Sequence, residues 1–452
     1  MRKGVWWGLV GAGALALYAG NRVLLRYWDF GPAADELPQA VRDYRAAGLP
    51  WTAADLARHV PAEENAAPLL RRALAAMPGT TADIEFDKAL KPDPAPYAPA
   101  LVTLHEAAKR PKLDYERDRD LGPSLLFPEF AKIKQMAKVL VFRAERKAAA
   151  GDDAGALADL EDARRIGTLT GQETVLIAAL VSVAVESIAY AGAERCIAKA
   201  YGDAPRLKRY AAWLARPAQP PDLRRAIWGE SYGGVAAVRL FPSMGIGNSM
   251  LPIDDIFAVN RNEGEFRRSE DIPRDGIPKT VRAQAYMARH CQMWTELWRE
   301  TNGLQGDVDE VNQRWAAIET RHYENDKGLS HQLDALLFPV FAQALKTPLN
   351  VLSRRAVMLG LAEAMIVRAR TGRWPTSVSG RDPFDGKPLK VKLDRGRFRV
   401  YGVGKDGKDD GGLLGRERKV SDLGVDDVAT YPPVPPKVPR TGALPPSPLV
   451  GR

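Results

Sequence analysis

The sequence predicts a mainly α-helical protein: an irregular multi-helix domain with one tetratricopeptide-like hairpin, followed by a small C-terminal α+β lobe. Three observations predict it. From Leu37 to about Thr371 apolar residues recur at helical spacing, broken at Pro-rich or Gly-rich stretches such as "RPAQPPD". Alternation of the kind that marks strands is confined to "LKVKL" and "RFRVYGV" near the C-terminus. A chain of 452 residues, 45% hydrophobic and 27% charged, has the composition of a globular protein long enough for two or three domains. The expected segments are residues 1–30 as a membrane anchor, 37–350 as the helical domain, 351–430 as the α+β lobe and 431–452 as a disordered tail.

The first segment reads "MRKGVWWGLVGAGALALYAGNRVLLRYWDF". Arg2 and Lys3 precede seventeen residues without a charge, Gly4 to Gly20, and Val23, Leu24 and Leu25 lengthen the apolar run if Arg22 snorkels. Trp6, Trp7, Tyr27 and Trp28 stand where interfacial aromatics belong. A cleaved signal peptide with an A-x-A site at Ala14-Leu15-Ala16 is the competing reading. Apolar character continues past that site and ends in the aromatic belt, which favours an uncleaved anchor.

In the helical domain, upward of ten helices are expected. "LVFRAERKAAAGDDAGALADLEDARRIG" places Gly151, Ala156, Leu160 and Ala163 at the small and apolar positions of a tetratricopeptide hairpin. One copy is visible where a solenoid needs about three, so an isolated hairpin is expected. "TVLIAALVSVAVESIAYAGAERC", Thr174 to Cys196, is apolar nearly all round but interrupted by Glu186, and reads as a central core helix. "LDALLFPVFAQAL" has Pro339 inside and suits a kinked core helix. Residues 240–280 lose periodicity and read as a long surface excursion or lid, after which helices run from Thr280 to Thr371.

The lobe opens with "WPTSVSGRDPFDGKPL", then the two alternating runs separated by Asp-Arg-Gly, a hairpin signal in which Leu389, Val391 and Leu393 face one side. The tail, "YPPVPPKVPRTGALPPSPLVGR", holds eight prolines in 22 residues.

Charge narrows the partners. The net charge is +9, and residues 372–452 hold 16 Lys and Arg against 10 Asp and Glu. No nucleic-acid-binding fold or stripe of aromatic and basic residues accompanies this excess, so a membrane surface suits it better than nucleic acid. Cys196 and Cys291 could pair or stay buried, and neither they nor the five histidines have the spacing of a zinc site.

Chemistry has two candidate sites. "YGVGKDGKDDGG" nearly matches G-x-x-x-x-G-K-S/T through Gly402, Gly407 and Lys408, but Asp409 stands at the last position. Carboxylates at Asp409 and Asp410 would repel phosphate, whereas Asp406, Asp409 and Asp410 on a Gly-rich turn, with Asp422, Asp426 and Asp427 beyond, are hard oxygen ligands of the kind Ca²⁺ takes. Asp-Gly turns that need no ion explain the same letters. The second site is "GESYG", Gly229 to Gly233, which fits the G-x-S-x-G nucleophile elbow with Ser231 as nucleophile and His290, His322 or His331 as base. "PPDLRRAIW" before it reads as a helix start rather than a strand, so Ser231 is not expected to be a nucleophile.

The succession from Ala356 to Val428, a helix ending in "TGRWP", then "DPFDGKPL", "RFRVYGVG", "KDGKDDGG" and "DLGVDDV", resembles the C-terminal half of the major pseudopilins of type II secretion systems. The resemblance implies a helix packed on a small antiparallel sheet and an acidic loop that binds calcium. By position its ligands would be Asp406, Asp426 and Asp427, with Asp409 and Asp410 as alternates. The chain departs from that family in lacking the G-F-T-L-x-E processing motif and in the longer, basic segment "LLGRERKVSDLGV". The helical bulk, with "EENAAPLL" near its start, is similar to uncharacterised membrane-anchored bacterial proteins, which implies an address without an activity.

The sequence therefore points to a single-pass protein of the inner membrane with its bulk outside the cytoplasm. It would act as a structural or interaction component whose partners are lipid and an envelope protein, and not as an enzyme. A serine hydrolase using Ser231 and a pseudopilin-like subunit are the alternatives.

Overall fold

A computed structural model describes residues 31–78, 94–240, 276–278, 281–325, 329–394, 396–404, 407–412 and 428–430. The N-terminal segment, the 241–275 stretch, the Pro-rich tail and Asp406, Asp422, Asp426 and Asp427 lie outside these residues. The protein is mainly helical with one small sheet, as the apolar periodicity predicts.

The helices are α1 (Leu37–Ala46), α2 (Ala53–Leu56), α3 (Ala67–Ala75), α4 (Ala98–Ala108), α5 (Glu129–Ala149), α6 (Asp153–Thr170), α7 (Leu176–Lys199), α8 (Ala204–Leu214), α9 (Leu223–Leu240), α10 (Val281–Glu300), α11 (Val308–Asn325) and α12 (Leu329–Thr371). Local signals set their starts. Pro occupies the first helical turn of α1, α3, α4 and α8, where its missing N–H costs nothing. Asp55 of α2 reaches back to accept from the Thr52 and Trp51 amides, each at 2.8 Å. Asp203 accepts from the Arg206 amide at 3.1 Å and caps α8.

The chain divides into two compact units. The first comprises the described residues of Met1–Ala144, Ala158–Tyr190 and Ala218–Val351; the second those of Glu145–Leu157, Ala191–Pro217 and Leu352–Arg452. The second unit thus gathers three separate stretches where sequence suggested one boundary at 350, because α5, α6, α7 and α12 are long enough to contribute to both.

Two buried clusters hold the first unit. One centres on Tyr44, Trp51, Tyr232, Trp294 and Trp315; the other on Leu70, Leu104, Ile133, Leu140 and Val185. α5 and α6 form the predicted hairpin. Gly151 makes its turn with φ 86°, Asp152 accepts from the Gly155 amide at 2.8 Å, and Ala156, Leu160 and Ala163 are fully buried. α7 is long and apolar enough to cross a membrane, yet 67% of its most apolar window is buried inside the protein. Its exposed residues are Ile177, Arg195 and Lys199 alone, the burial pattern of a core helix.

α12 runs without a break through Pro339 and Pro348, which belong to the first unit, and its residues from Leu352 onward belong to the second. Its last turn ends at Gly372, φ 74°, whose amide reaches the Arg368 carbonyl at 2.8 Å. Strands β1 (Lys390–Asp394), β2 (Arg397–Gly402) and β3 (Val428–Thr430) pair antiparallel in the order β1-β2-β3. Asp394 faces Arg397 across the hairpin turn, where Gly396 has φ 78°. α12 lies against the sheet at Gly360: a Cβ there would stand 3.0 Å from Val378 and 3.2 Å from Val400. The expected apolar face of β1 is corrected by the structure. Leu389 is buried, but Leu393 is 59% exposed, because β1 is an edge strand and the buried strand is β2, with Phe398 and Val400 inside. Trp374 stacks on Phe398 at 4.4 Å and carries the Arg368 guanidinium over its outer face.

Candidate functional site

The "GESYG" stretch lies in the middle of α9, not on a strand-to-helix turn, and its first four letters each have a packing or hydrogen-bonding role. Gly229 lets α9 approach the loop before α7: a Cβ there would fall 1.9 Å from the Thr174 carbonyl oxygen. Glu230 accepts from the Leu176 amide at 2.6 Å, at the start of α7. Ser231 is fully buried; its Oγ accepts from the Tyr44 hydroxyl at 2.9 Å and donates to the Trp228 carbonyl at 2.7 Å. The Tyr232 hydroxyl donates to Asp120. Gly234, just beyond, leaves room for the His290 ring, which a Cβ would meet at 2.2 Å.

None of the described histidines serves Ser231 as a base. His290 Nε2 donates to the main-chain carbonyl of Ser231 at 2.9 Å, not to its hydroxyl, and His322 pairs with Glu296 at 2.6 Å. The side chain of His331 lies outside the described residues. An activated serine needs exposure and a base in reach, and Ser231 has neither among the described residues.

Beside this helix start the protein builds a polar cleft of about 240 Å³. Three stretches line it: α2 with Ala57 and Arg58 just beyond its end, the irregular Leu113–Arg119, and Gln172–Thr174 between α6 and α7. Residues 113–119 have no helix or sheet partner, so side chains satisfy their main chain. Asn65 donates to the Asp114 carbonyl at 2.8 Å and accepts from its amide at 3.0 Å. Gln172 accepts from the Leu113 amide, Glu173 from the Tyr115 amide, and Arg71 donates to the Tyr115 carbonyl. Asp114 accepts from the Glu116 amide at 2.8 Å, and Glu116 takes the left-handed conformation, φ 52°, unusual for a residue with a Cβ.

Glu173, almost fully buried, organises the cleft floor. Arg119 donates to it at 2.6 Å and Arg117 stands 3.6 Å away. Arg117 also bonds Glu129 at 2.9 Å and the Leu126 carbonyl at 3.2 Å, and its guanidinium lies 4.5 Å from the Tyr115 ring and 4.7 Å from that of Phe127. Arg58 donates to the Gln172 carbonyl at 2.8 Å and has no ion-pair partner among the described residues. Burial, and then the neighbouring Arg225 charge, lower the Arg58 pKa against the opposing pull of the Asp114 and Glu173 carboxylates. Burial raises the Glu230 carboxyl, against the pull of the Leu176 amide and of Arg119.

The acidic loop of the second unit is only partly described. Both oxygens of Asp409 are engaged, Oδ2 by Lys390 Nζ at 2.7 Å and Oδ1 by the Gly411 amide at 2.9 Å, and the lysine holds its pKa below the ordinary value. That arrangement does not fit Asp409 as a calcium ligand. Asp410 has partners of its own. Among the described residues no three His, Cys, Asp or Glu side chains gather in a way that could hold a metal ion. Asp406, Asp426 and Asp427 lie outside them. Cys196 and Cys291 are both buried free thiols, and burial pushes the Cys291 thiol up to about 12.

The cleft residues escape sequence reasoning because they come from three separate stretches that only folding brings together. The one signal was "LDYERDRDLGPS", a dense charge run without helix or strand period. Comparison of the chain with protein-family models, with curated proteins and with solved structures finds no match.

Proposed function

We propose that this chain is a membrane-held binding protein: residues 4–25 anchor it in the cytoplasmic membrane, and its helical body, outside the cytoplasm, recognises an envelope protein through the cleft at Arg58, Arg117 and Arg119. The observation that carries the reading is the cleft itself, where a half-buried arginine without an ion-pair partner sits beside a strapped, left-handed turn. Such conformations persist where the surroundings over-determine them, and they concentrate at sites that bind. The polar groups of the serine motif and its surroundings, Ser231, Glu230, Tyr232 and His290, hold α9 to its neighbours. The anchor rests on the apolar run and aromatic belt of the sequence.

Co-purification of the detergent-solubilised chain tests the reading. A partner that accompanies the parent chain should be lost with Arg58→Glu and kept with Lys109→Glu, a charge reversal on exposed surface of the same unit. Retention by both variants would remove the cleft as the recognition surface.

A second reading applies to the C-terminal lobe, because a helix packed on a three-stranded antiparallel sheet suits the pseudopilin resemblance. Its calcium site would then use Asp406, Asp426 and Asp427, with Asp409 held apart by Lys390. Calorimetry on the full chain should show calcium binding that Asp406→Ala weakens and Asp409→Ala leaves alone. No heat at about millimolar calcium contradicts it.

A further inference from the structure

We propose that the cleft is a carboxylate-binding site anchored by Arg58, and that what enters it is one carboxylate on the end of a flexible chain. The inference rests on reading the cleft as a recognition surface and names the chemistry recognised there.

Three features set that chemistry. The first is the difference between Arg58 and the other two arginines of the lining. Arg117 and Arg119 have carboxylates in Glu129 and Glu173, whereas Arg58 spends one nitrogen on the Gln172 carbonyl and meets no carboxylate within ion-pair distance among the described residues. A guanidinium presents a planar fork of donors that matches a carboxylate through two parallel bonds.

The second is that the floor is rich in donors. Arg119 Nη1 and Thr174 Oγ1 are buried without a hydrogen-bond partner, and Arg117 Nε, on a side chain only 7% exposed, faces just the Glu173 carboxylate at 3.6 Å. Buried donors that lack acceptors favour an acceptor oxygen at the mouth. The floor already holds one carboxylate in this manner: Glu173 takes the Arg119 guanidinium and the Tyr115 amide.

The third is charge and size. Arg58, Arg117 and Arg119 are matched in the lining by Asp114, Glu116 and Glu173, so the lining carries no net charge. A monocarboxylate brings one negative charge into that neutral lining, whereas a doubly charged phosphate brings two to be desolvated against the same three acids. At about 240 Å³ the space falls below the roughly 300–1,000 Å³ of sites for larger ligands and suits the end of a chain.

The test uses calorimetry on the full chain in detergent with four probes. They are an acetylated dipeptide with a free C-terminal carboxylate, acetylglutamate diblocked so that only its side-chain carboxylate is free, the amidated dipeptide, and inorganic phosphate. One of the two carboxylate probes should bind with a Kd of about 1 mM or tighter, and which one it is identifies a chain terminus or an acidic side chain as the source. The amide and phosphate should not bind. Arg58→Gln should weaken the bound probe at least about tenfold at unchanged melting temperature, Arg58→Lys should weaken it less, and Glu116→Gln should preserve it. No binding of either carboxylate, equal binding of the amide or phosphate, or indifference to Arg58→Gln would overturn the proposal. Arg58-dependent capture of a partner by a chain that ignores both carboxylates leaves the binding reading standing and removes this one. Carboxylate binding without any captured partner does the reverse.

Discussion

Tyr44 donates its hydroxyl proton to Ser231 Oγ at 2.9 Å across 187 residues of sequence, and both side chains are fully buried. Burial raises the Tyr44 pKa well above its ordinary value, so the phenol stays protonated and remains the donor. The one serine with a hydrolase-like setting in the sequence is thus a joint between α1 and α9. Ser231→Ala should leave the Tyr44 hydroxyl without this acceptor in a dry interior and cost about 1–3 kcal/mol of stability. A fluorophosphonate probe should not label the parent chain. Labelling that Ser231→Ala abolishes would return the serine to chemistry.

Gly229 gives the same stretch a second, independent test. Its substitution by alanine drives a methyl group into the Thr174 carbonyl, backbone against backbone, and neither can turn aside as a flexible side chain would. Gly229→Ala should lower the melting temperature by the equivalent of about 1–3 kcal/mol or more. Gly233→Ala, whose methyl would meet only the far end of Glu230 at 3.7 Å, should be mild. Equal effects at the two glycines would contradict the packing account of the motif.

Asp153, at the start of α6, is held by Arg206 through two bonds of 2.8 Å and by the Tyr210 hydroxyl at 2.8 Å. The Arg206 bonds hold its pKa below the ordinary carboxylate value. A carboxyl with a lowered folded-state pKa contributes stability above its unfolded value, and that contribution is lost as pH falls through the lowered one. Asp153→Asn should therefore be about 3 kcal/mol less stable than the parent near neutral pH, with the gap closing below about pH 4. A gap that is constant with pH in chemical denaturation would show that the charge contributes nothing.

The helical hairpin was legible because Gly151 and the small, apolar Ala156, Leu160 and Ala163 are a local pattern. The strand hairpin was legible as a hairpin but not in its burial, since alternation along β1 does not reveal that β2 is the covered strand and Leu393 an edge residue. Nothing in "DPFDG" sets Asp382 apart in the sequence. Folded, it is buried and accepts from Ser353 Oγ, the Phe384 amide and the Val403 amide at 3.2, 3.1 and 2.6 Å, contacts 2 to 29 residues away. The cleft was illegible for the same reason: Arg58, Arg119 and Glu173 meet only through tertiary structure.

Asp382 accordingly supports a prediction about the lobe. All three partners donate to it, so Asp382→Asn would turn an amide donor toward donors and open the junction of α12 with the end of β2. Limited proteolysis should cut this variant faster between residues 380 and 403 while the first unit keeps its parent pattern. An unchanged digest would show that the lobe does not depend on this carboxylate.

The address has its own test. Alkaline phosphatase fused after Phe30 should be active and the chain should resist carbonate extraction, because burying some seventeen mostly apolar residues exceeds a reversible surface contact. An inactive phosphatase fusion paired with an active cytoplasmic reporter would place the body on the other side and take the pseudopilin resemblance with it.

Photo-crosslinking in intact cells tests most directly whether the chain works by binding through its cleft. A photoreactive residue replaces Glu116, at the cleft, or Val102, 66% exposed on α4 of the same unit. The account predicts a discrete adduct in the membrane fraction from position 116, its loss on Arg58→Glu, and none from position 102. Adducts that are the same from both positions, or an adduct at 116 that survives Arg58→Glu, would contradict it.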